Sequence, residues 1–223
     1  MSAAKPDDAD VLLHGFSLSV YVRIARMTLA EKGVAYSLQA VNPFAPLPDG
    51  YTDLHPFGRV PVLEHGSFPL HETGAIVRYI DRAFAGPSLV PTAPQEAARV
   101  DQVIAITDNY AYWPLVRQVF TQSVMQPLLG ASPDAAEIEA GLTEAARVLG
   151  ALERLFAETP VLANAAPTLA TCYLAPMIAY FVQAAEGRAE LERHSALWAW
   201  WNAVKDRPSL VNSAPDFTSL GRS

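Results

Sequence analysis

The chain holds 223 residues and 24.1 kDa, enough for one large or two small domains and for a core that buries roughly 70% of the unfolded surface. Hydrophobic residues make up 51% and charged residues 17%, a balance that excludes intrinsic disorder. With 16 Lys and Arg against 23 Asp and Glu, a net charge of −7 and only three lysines (Lys5, Lys32, Lys205), there is no basic stripe to serve nucleic acid. The single cysteine, Cys172, excludes a disulfide framework, a CxxC redox pair and a cysteine-rich zinc centre within one chain.

Met1 to Asp10 is polar and acidic and has no apolar segment of the signal-peptide kind. Val11 to Gly15 is a short apolar run closed by glycine and predicts a buried strand. Ser19 to Lys32 predicts a helix, with Val20, Ile24, Met27 and Leu29 on its apolar side, Arg23 and Arg26 on its polar side, and Gly33 as its stop. Tyr36 to Val41 predicts a second strand. Five prolines and glycines between Asn42 and Pro56 demand a loop with one helical turn at most. Val60 to Glu64 and Phe68 to Leu70 flank His65-Gly66 as a hairpin, and Gly74 to Phe84 predicts a third helix capped by Thr73. This β-α-β-α-β-β-α order, counting the helical turn, is thioredoxin-like, with a parallel first pair and an antiparallel hairpin at the edge.

Gly86-Pro87, Pro91 and Pro94 then read as an interdomain linker, which divides the chain into domains at 10–86 and 94–223. Beyond it only helix patterns occur. They run from Gln95 to Ser123 with a kink at Pro114, from a Ser132 cap to Glu158, from a Thr168 cap to Glu186, and from Glu190 to Lys205. Val161 to Ala185 carries no charge, but Asn164, Pro167, Thr168, Thr171 and Pro176 interrupt it. A buried helix of an all-α domain fits better than a membrane span. The expectation is a soluble, cytoplasmic chain.

Three local features can carry chemistry. Ser19 sits where the first strand turns into the first helix. Alone it reads as an ordinary N-cap, yet a helix N-terminus also favours an anion, and a hydroxyl there can donate to a thiolate. Ser17 is a second hydroxyl in the same turn. Val60-Pro61 opens a strand, and a cis bond there would turn the Val60 backbone outward toward an extended ligand. Glu72-Thr73, at the end of the hairpin, combines a carboxylate for an ammonium with a hydroxyl and helix-start N–H groups for a carboxylate.

Together the segments SLSVYVRIARMTLAEKG (17–33), HPFGRVPVLEHGSFPLHETGAIVRYID (55–81) and PTLATCYLAPMIAYF (167–181) resemble the soluble glutathione S-transferases of the serine type. The resemblance spans Val11 to about Pro208. It implies a thioredoxin-like glutathione-binding domain followed by an all-helical domain that contributes the second-substrate pocket. Ser19 falls on the hydroxyl that activates glutathione, with Ser17 as the weaker candidate. Val60 falls on the backbone that pairs with the cysteinyl part, Pro61 on the cis-proline, and Glu72 and Thr73 on the pair that holds the γ-glutamyl head. Arg59 stands where it could meet the glycyl carboxylate. Phe16 and Leu18, with Tyr110 and Trp113 of the long helix, would line the pocket for a small apolar electrophile. Val20 replaces a common proline, His55 a common asparagine and Thr73 a common serine. Thr171 takes the place of an aspartate that closes a capping box in relatives.

The resemblance further implies a homodimer, with glutathione as co-substrate. No metal is expected, since no histidine pair stands at i, i+4 spacing, nor any nucleic-acid or membrane partner. Conjugation, isomerisation, dehalogenation and peroxide reduction share the same thiolate start, and the residues do not choose among them. A non-catalytic binding or assembly module on the same scaffold is the alternative. Retention of both the Ser19 hydroxyl and the Glu72-Thr73 pair favours the enzyme.

Overall fold

The computed structural model describes residues 11–164 and 166–217; the acidic start of the chain lies outside them. The first strand, β1 (Val11–Gly15), turns Val11 and Leu13 toward one face and Leu12 and His14 toward the other, as a pleated strand must. Its neighbours are β2 (Ser37–Ala40), parallel to it, and β3 (Val62–His65), antiparallel. A two-residue turn at Gly66-Ser67 leads into β4 (Phe68–His71), so that the sheet reads β2-β1-β3-β4. Two helices cover one face, α1 (Val20–Glu31) and α3 (Thr73–Ala83). Val11, Leu13 and Leu63 of the strands pack there with Val22, Ala25, Leu29, Ile76, Ile80 and Phe84. The single turn α2 (Tyr51–Leu54) serves the opposite face, where Tyr51 packs with Val41 and Val62.

Three local expectations need correction. Arg23, expected on a polar face, is only 5% exposed, because eight of the twelve α1 residues are buried and the covered face is wider than the apolar stripe. Thr73 does not cap α3 but is its first residue. The N-cap is Glu72, at φ 70 and with no side-chain cap bond. Third, the hairpin turns at Gly66-Ser67, one residue later than the His65-Gly66 expectation.

Lys32, at the end of α1, is buried and uses all three ammonium protons. Its Nζ donates to the Asp81 carboxylate at 3.2 Å, to the Asp81 carbonyl at 3.0 Å and to the Pro87 carbonyl at 2.9 Å. One side chain thus joins α1, α3 and the segment that leaves the sheet unit. At Gly86, φ is 110 and an added Cβ would sit 2.8 Å from the Lys32 carbonyl, so only glycine fits. The chain divides into two compact units, up to Ser88 and from Leu89.

The second unit opens with α4 (Pro94–Ile106), which continues without a break into a π-helix, Thr107–Met125. Pro114 was expected to kink this stretch. The helix is widened around it, with Gln126 N–H bonded to the Thr121 carbonyl five residues back. A proline ring collides with the carbonyl four residues earlier in an α-helix, and a wider turn moves that carbonyl away. Next come α5 (Gln126–Leu128) and α6 (Ala135–Glu158). Asp134, not Ser132, caps α6, accepting from Ala136 and Glu137 N–H at 2.9 and 3.3 Å. At Gly141 a Cβ would meet the Gln118 Cβ at 2.7 Å, which marks the close approach of α6 to the π-helix.

After α7 (Pro160–Ala163), Thr168 caps α8 (Leu169–Phe181), as expected. Thr171 does close a capping box, its hydroxyl accepting from Thr168 N–H at 3.2 Å while Thr171 N–H donates back at 3.3 Å. Twelve of the thirteen α8 residues are buried, and among the described residues no helix is long and apolar enough to cross a membrane. α8 stops at Phe181, short of the expected Glu186. The expected helix over 190–205 is two, α9 (Ala185–Glu192) and α10 (Ser195–Val204), followed by α11 (Pro208–Val211). The break at His194 has a cause outside the local sequence. Glu153 on α6 reaches the start of α10 and accepts from Ala196 and Leu197 N–H, both at 2.9 Å, and from the Ser195 hydroxyl.

Burial pushes the Glu153 carboxyl up, but those two N–H groups, the Ser195 hydroxyl and nearby His194 outweigh it and hold the pKa below its ordinary 4.5. A carboxylate depressed in the folded state adds stability that is complete above its unfolded value and lost as pH falls through its folded one. Glu153→Ala should therefore cost about 1–2 kcal/mol near neutrality, with the gap to the parent closing in urea melts as pH falls below the ordinary carboxylate range. Lys32→Met removes a buried ammonium from the Asp81 carboxylate and from the Pro87 carbonyl. It should cost about 3–5 kcal/mol by chemical denaturation, and adding Asp81→Asn should recover part of that loss.

Candidate active site

One row of the sheet places the predicted residues of the first unit. In the ladders His14 stands opposite Val62, and Val62 stands opposite His71. Everything that follows β1, precedes β3 or follows β4 therefore leaves the sheet at the same end. Phe16, Ser17, Leu18 and Ser19 follow β1; Arg59, Val60 and Pro61 precede β3; Glu72 and Thr73 follow β4. Val41 N–H, bonded to the Gly15 carbonyl at 3.0 Å, closes the row on the β2 side. Tyr110 and Trp113 belong to the second unit, on the π-helix, and are 59% and 60% exposed.

The turn from β1 into α1 is tight, with Ser19 N–H bonded to the Phe16 carbonyl at 2.9 Å. Ser19 is the N-cap, and its hydroxyl oxygen accepts from Val22 N–H at 3.4 Å. An oxygen used as acceptor keeps its own proton for donation elsewhere. Ser19 is half-buried and Ser17 exposed. Behind them the first turn of α1 carries N–H groups that no helix can satisfy internally, and the positive end of its dipole.

The Val60-Pro61 bond is cis, and the ladder begins only at Val62, so Val60 lies at the margin of the sheet. Its approach is held by Tyr51, whose hydroxyl donates to the Arg59 carbonyl at 2.7 Å. Burial raises the Tyr51 pKa to about 12, so the phenol stays a donor across the working range. The Arg59 side chain is exposed. Glu72 is the one described non-glycine residue with positive φ. Such a backbone is sparsely populated and costs of order 1–3 kcal/mol, held here by the strand before it and the buried Thr73 after it. The Glu72 carboxylate is exposed at the start of α3.

Several residues of this end escaped the sequence. His14 bonds Glu64 across β1 and β3 at 2.5 Å, with its ring 5.9 Å from that of Tyr51. The two share the face that Leu12 defines, a placement that strand alternation would have given had the register been known. Phe44 packs edge-on against Phe16 with centroids 6.0 Å apart. His55, at the end of α2, is buried against His71, ring centroids 4.8 Å apart. Burial lowers the His55 pKa; His71 and Arg59 lower it further, and Glu72 raises it. Cys172 is fully buried in α8, in the other unit. Among the described residues no three His, Cys, Asp or Glu gather as a metal site.

The sheet end thus offers a hydroxyl donor at a helix N-terminus, a strand margin suited to an extended backbone, and a carboxylate beside a second helix start. A short peptide with an anionic middle and a zwitterionic head matches these three in order.

Comparison with known proteins points the same way. A family model described as glutathione S-transferase, N-terminal domain, matches residues 13–88, and the corresponding C-terminal domain matches 135–203. Glutathione S-transferase 3 of Zea mays is 31% identical over 207 residues, covering 90% of this chain and 91% of that protein. Among solved structures, glutathione S-transferase III in its apo form superposes with a TM-score of 0.79 at 29% identity, over 91% of this chain and 94% of the other. A theta-class glutathione S-transferase from Xanthomonas axonopodis pv. citri, with glutathione bound, gives 0.77 at 29% identity over 92% and 97%.

Proposed function

The chain belongs to the glutathione S-transferase family and is an enzyme of it; from that premise we propose that it binds glutathione at the Ser19 end of the sheet and ionises its thiol. The reading is supported above all by the register at Val62, which sets Ser19, Val60 and Glu72 at one sheet end. The bound glutathione of the Xanthomonas axonopodis relative supports the ligand.

The γ-glutamyl ammonium is assigned to Glu72, and the adjoining carboxylate to Thr73 and the N–H groups that open α3. The main chain of Val60, set by cis Pro61, receives the cysteinyl unit. Arg59 receives the glycyl carboxylate. The sulfur then lies at Ser19. Serine is far too weak an acid to serve as base. It donates one hydrogen bond to the thiolate, and the N-terminus of α1 adds its partial positive charge, so that the ionised form is favoured.

In conjugation the thiolate sulfur attacks an electrophilic carbon, a C–S bond forms, and the leaving group departs with its electron pair or the π-electrons move onto an acceptor atom. Isomerisation, dehalogenation and peroxide reduction begin from the same thiolate. Apolar contacts for a small hydrophobic electrophile are assigned to Phe16 and Leu18, beside Ser19 on the first unit.

The test is retention on immobilised glutathione, followed by conjugation of a generic aryl halide. Ser19→Ala should bind glutathione yet lose about 10- to 1,000-fold in kcat/KM, as expected for one hydrogen bond to a developing anion. Ser17→Ala should lose little. The reverse pattern would transfer the role to Ser17, and a parent chain that neither binds nor conjugates would end the enzymatic assignment.

A further inference from the structure

We propose that His55 and His71 are positioning residues for the ammonium group assigned to Glu72, and that they make this grip weaken in acid. The inference rests on the glutathione site described above and adds a proton dependence to it. β4 ends at His71, and the next residue, Glu72, holds its carboxylate on a backbone at φ 70. The direction of that carboxylate depends on whatever holds its neighbours still. Thr73 is buried on one side. On the other, His71 lies against His55 with rings 4.8 Å apart and tilted by 36°.

His55 is itself well fixed. Its N–H donates to the Tyr51 carbonyl at 3.0 Å and its carbonyl accepts from Gly58 N–H at 2.8 Å, so both backbone groups are engaged. The residue is 3% exposed. Phe57 stands edge-on to both imidazoles, at 6.0 Å from His55 and 6.5 Å from His71, and covers the pair from the solvent side. Three rings thus form a support immediately behind Glu72. The His55 Nδ1 is buried with no hydrogen-bond partner, so nothing waits to accept from a second ring N–H when the imidazole takes a proton.

The charged and titratable groups that act on His55 come from three neighbouring segments: His71 on β4, Glu72 at the start of α3, and Arg59 on the following loop. Burial, His71 and Arg59 disfavour the imidazolium, and Glu72 favours it. The net lowering keeps His55 neutral at pH 7 and leaves the Glu72 carboxylate to the ligand. In acid the imidazolium forms against that same carboxylate and competes with the ligand ammonium for it. His55 stands where the resemblance expects asparagine, and an amide has no such titration.

The measurement is the dissociation constant of S-methylglutathione for the full chain, by calorimetry between pH 7.5 and 5.0. This ligand has no thiol, so Ser19 chemistry does not enter, and its carboxylates and ammonium do not titrate in that range. The parent should weaken by more than about twofold on acidification, since one new cation forms near a partly solvated carboxylate. His55→Asn should weaken by less than about twofold, His71→Phe, which removes a group that disfavours the His55 imidazolium, should keep the weakening and move it to higher pH, and His194→Asn, in the second unit, should follow the parent. His71→Phe keeps the test alive if His55→Asn does not fold. A parent profile that is flat, or a His55→Asn profile as steep as the parent's, overturns the inference and leaves the binding site standing. No binding at pH 7.5 removes both.

Discussion

The site depends on a register. His14 opposite Val62 and Val62 opposite His71 place three chain segments, far apart in sequence, at one end of a four-stranded sheet. Strand side chains alternate with a period of two, so a slip of one residue would turn Leu63 out of the core and move Val60 and Glu72 off the row that holds Ser19. The core enforces the register: Val11, Leu13 and Leu63 face α1 and α3, while Val62 faces Tyr51 on the other side. Lys32 then ties α1 to α3, which fixes the helix whose first turn carries Ser19 to the helix whose first turn follows Glu72. Packing in the interior thereby sets the spacing of polar groups at the sheet end.

The electrostatic design is local. A chain with net charge −7 has no general attraction for an anionic tripeptide. On the proposed reading, anion binding falls to the N-termini of α1 and α3 and to exposed Arg59, and the one ammonium goes to Glu72. The absence of a reactive cysteine follows the same division. Cys172 is buried in α8, and in the proposed mechanism the reactive sulfur arrives with the ligand, held as thiolate by groups that do not themselves ionise.

Local features were readable where a single segment decides them. The Ser19 cap, the hairpin, the Pro-rich loop before α2 and the Thr168 cap follow from propensity and capping chemistry, and they stand within a residue or two of expectation. The cis bond at Val60-Pro61 suited its position before a strand. Errors arose where a distant residue decides. Glu153 breaks the helix near His194 from forty residues away, and Glu72 rather than Thr73 opens α3 because the strand before it fixes the backbone. The widening of the helix around Pro114 depends on how α6 and α8 pack against it, which no window of sequence contains. In the candidate site, the motif residues were visible as motifs. The supports, Tyr51 beneath Arg59 and His55 beside His71, were not, since each is defined by a contact between segments.

The central claim is that Ser19, Val60 and Glu72 act on one ligand from one sheet end, and a crystal structure of the glutathione complex tests it most directly. The account predicts the ligand sulfur within hydrogen-bond distance of the Ser19 Oγ, the cysteinyl main chain paired with Val60, and the γ-glutamyl ammonium on the Glu72 carboxylate. A sulfur seated on Ser17, or a ligand bound away from the row through Val62, would contradict it.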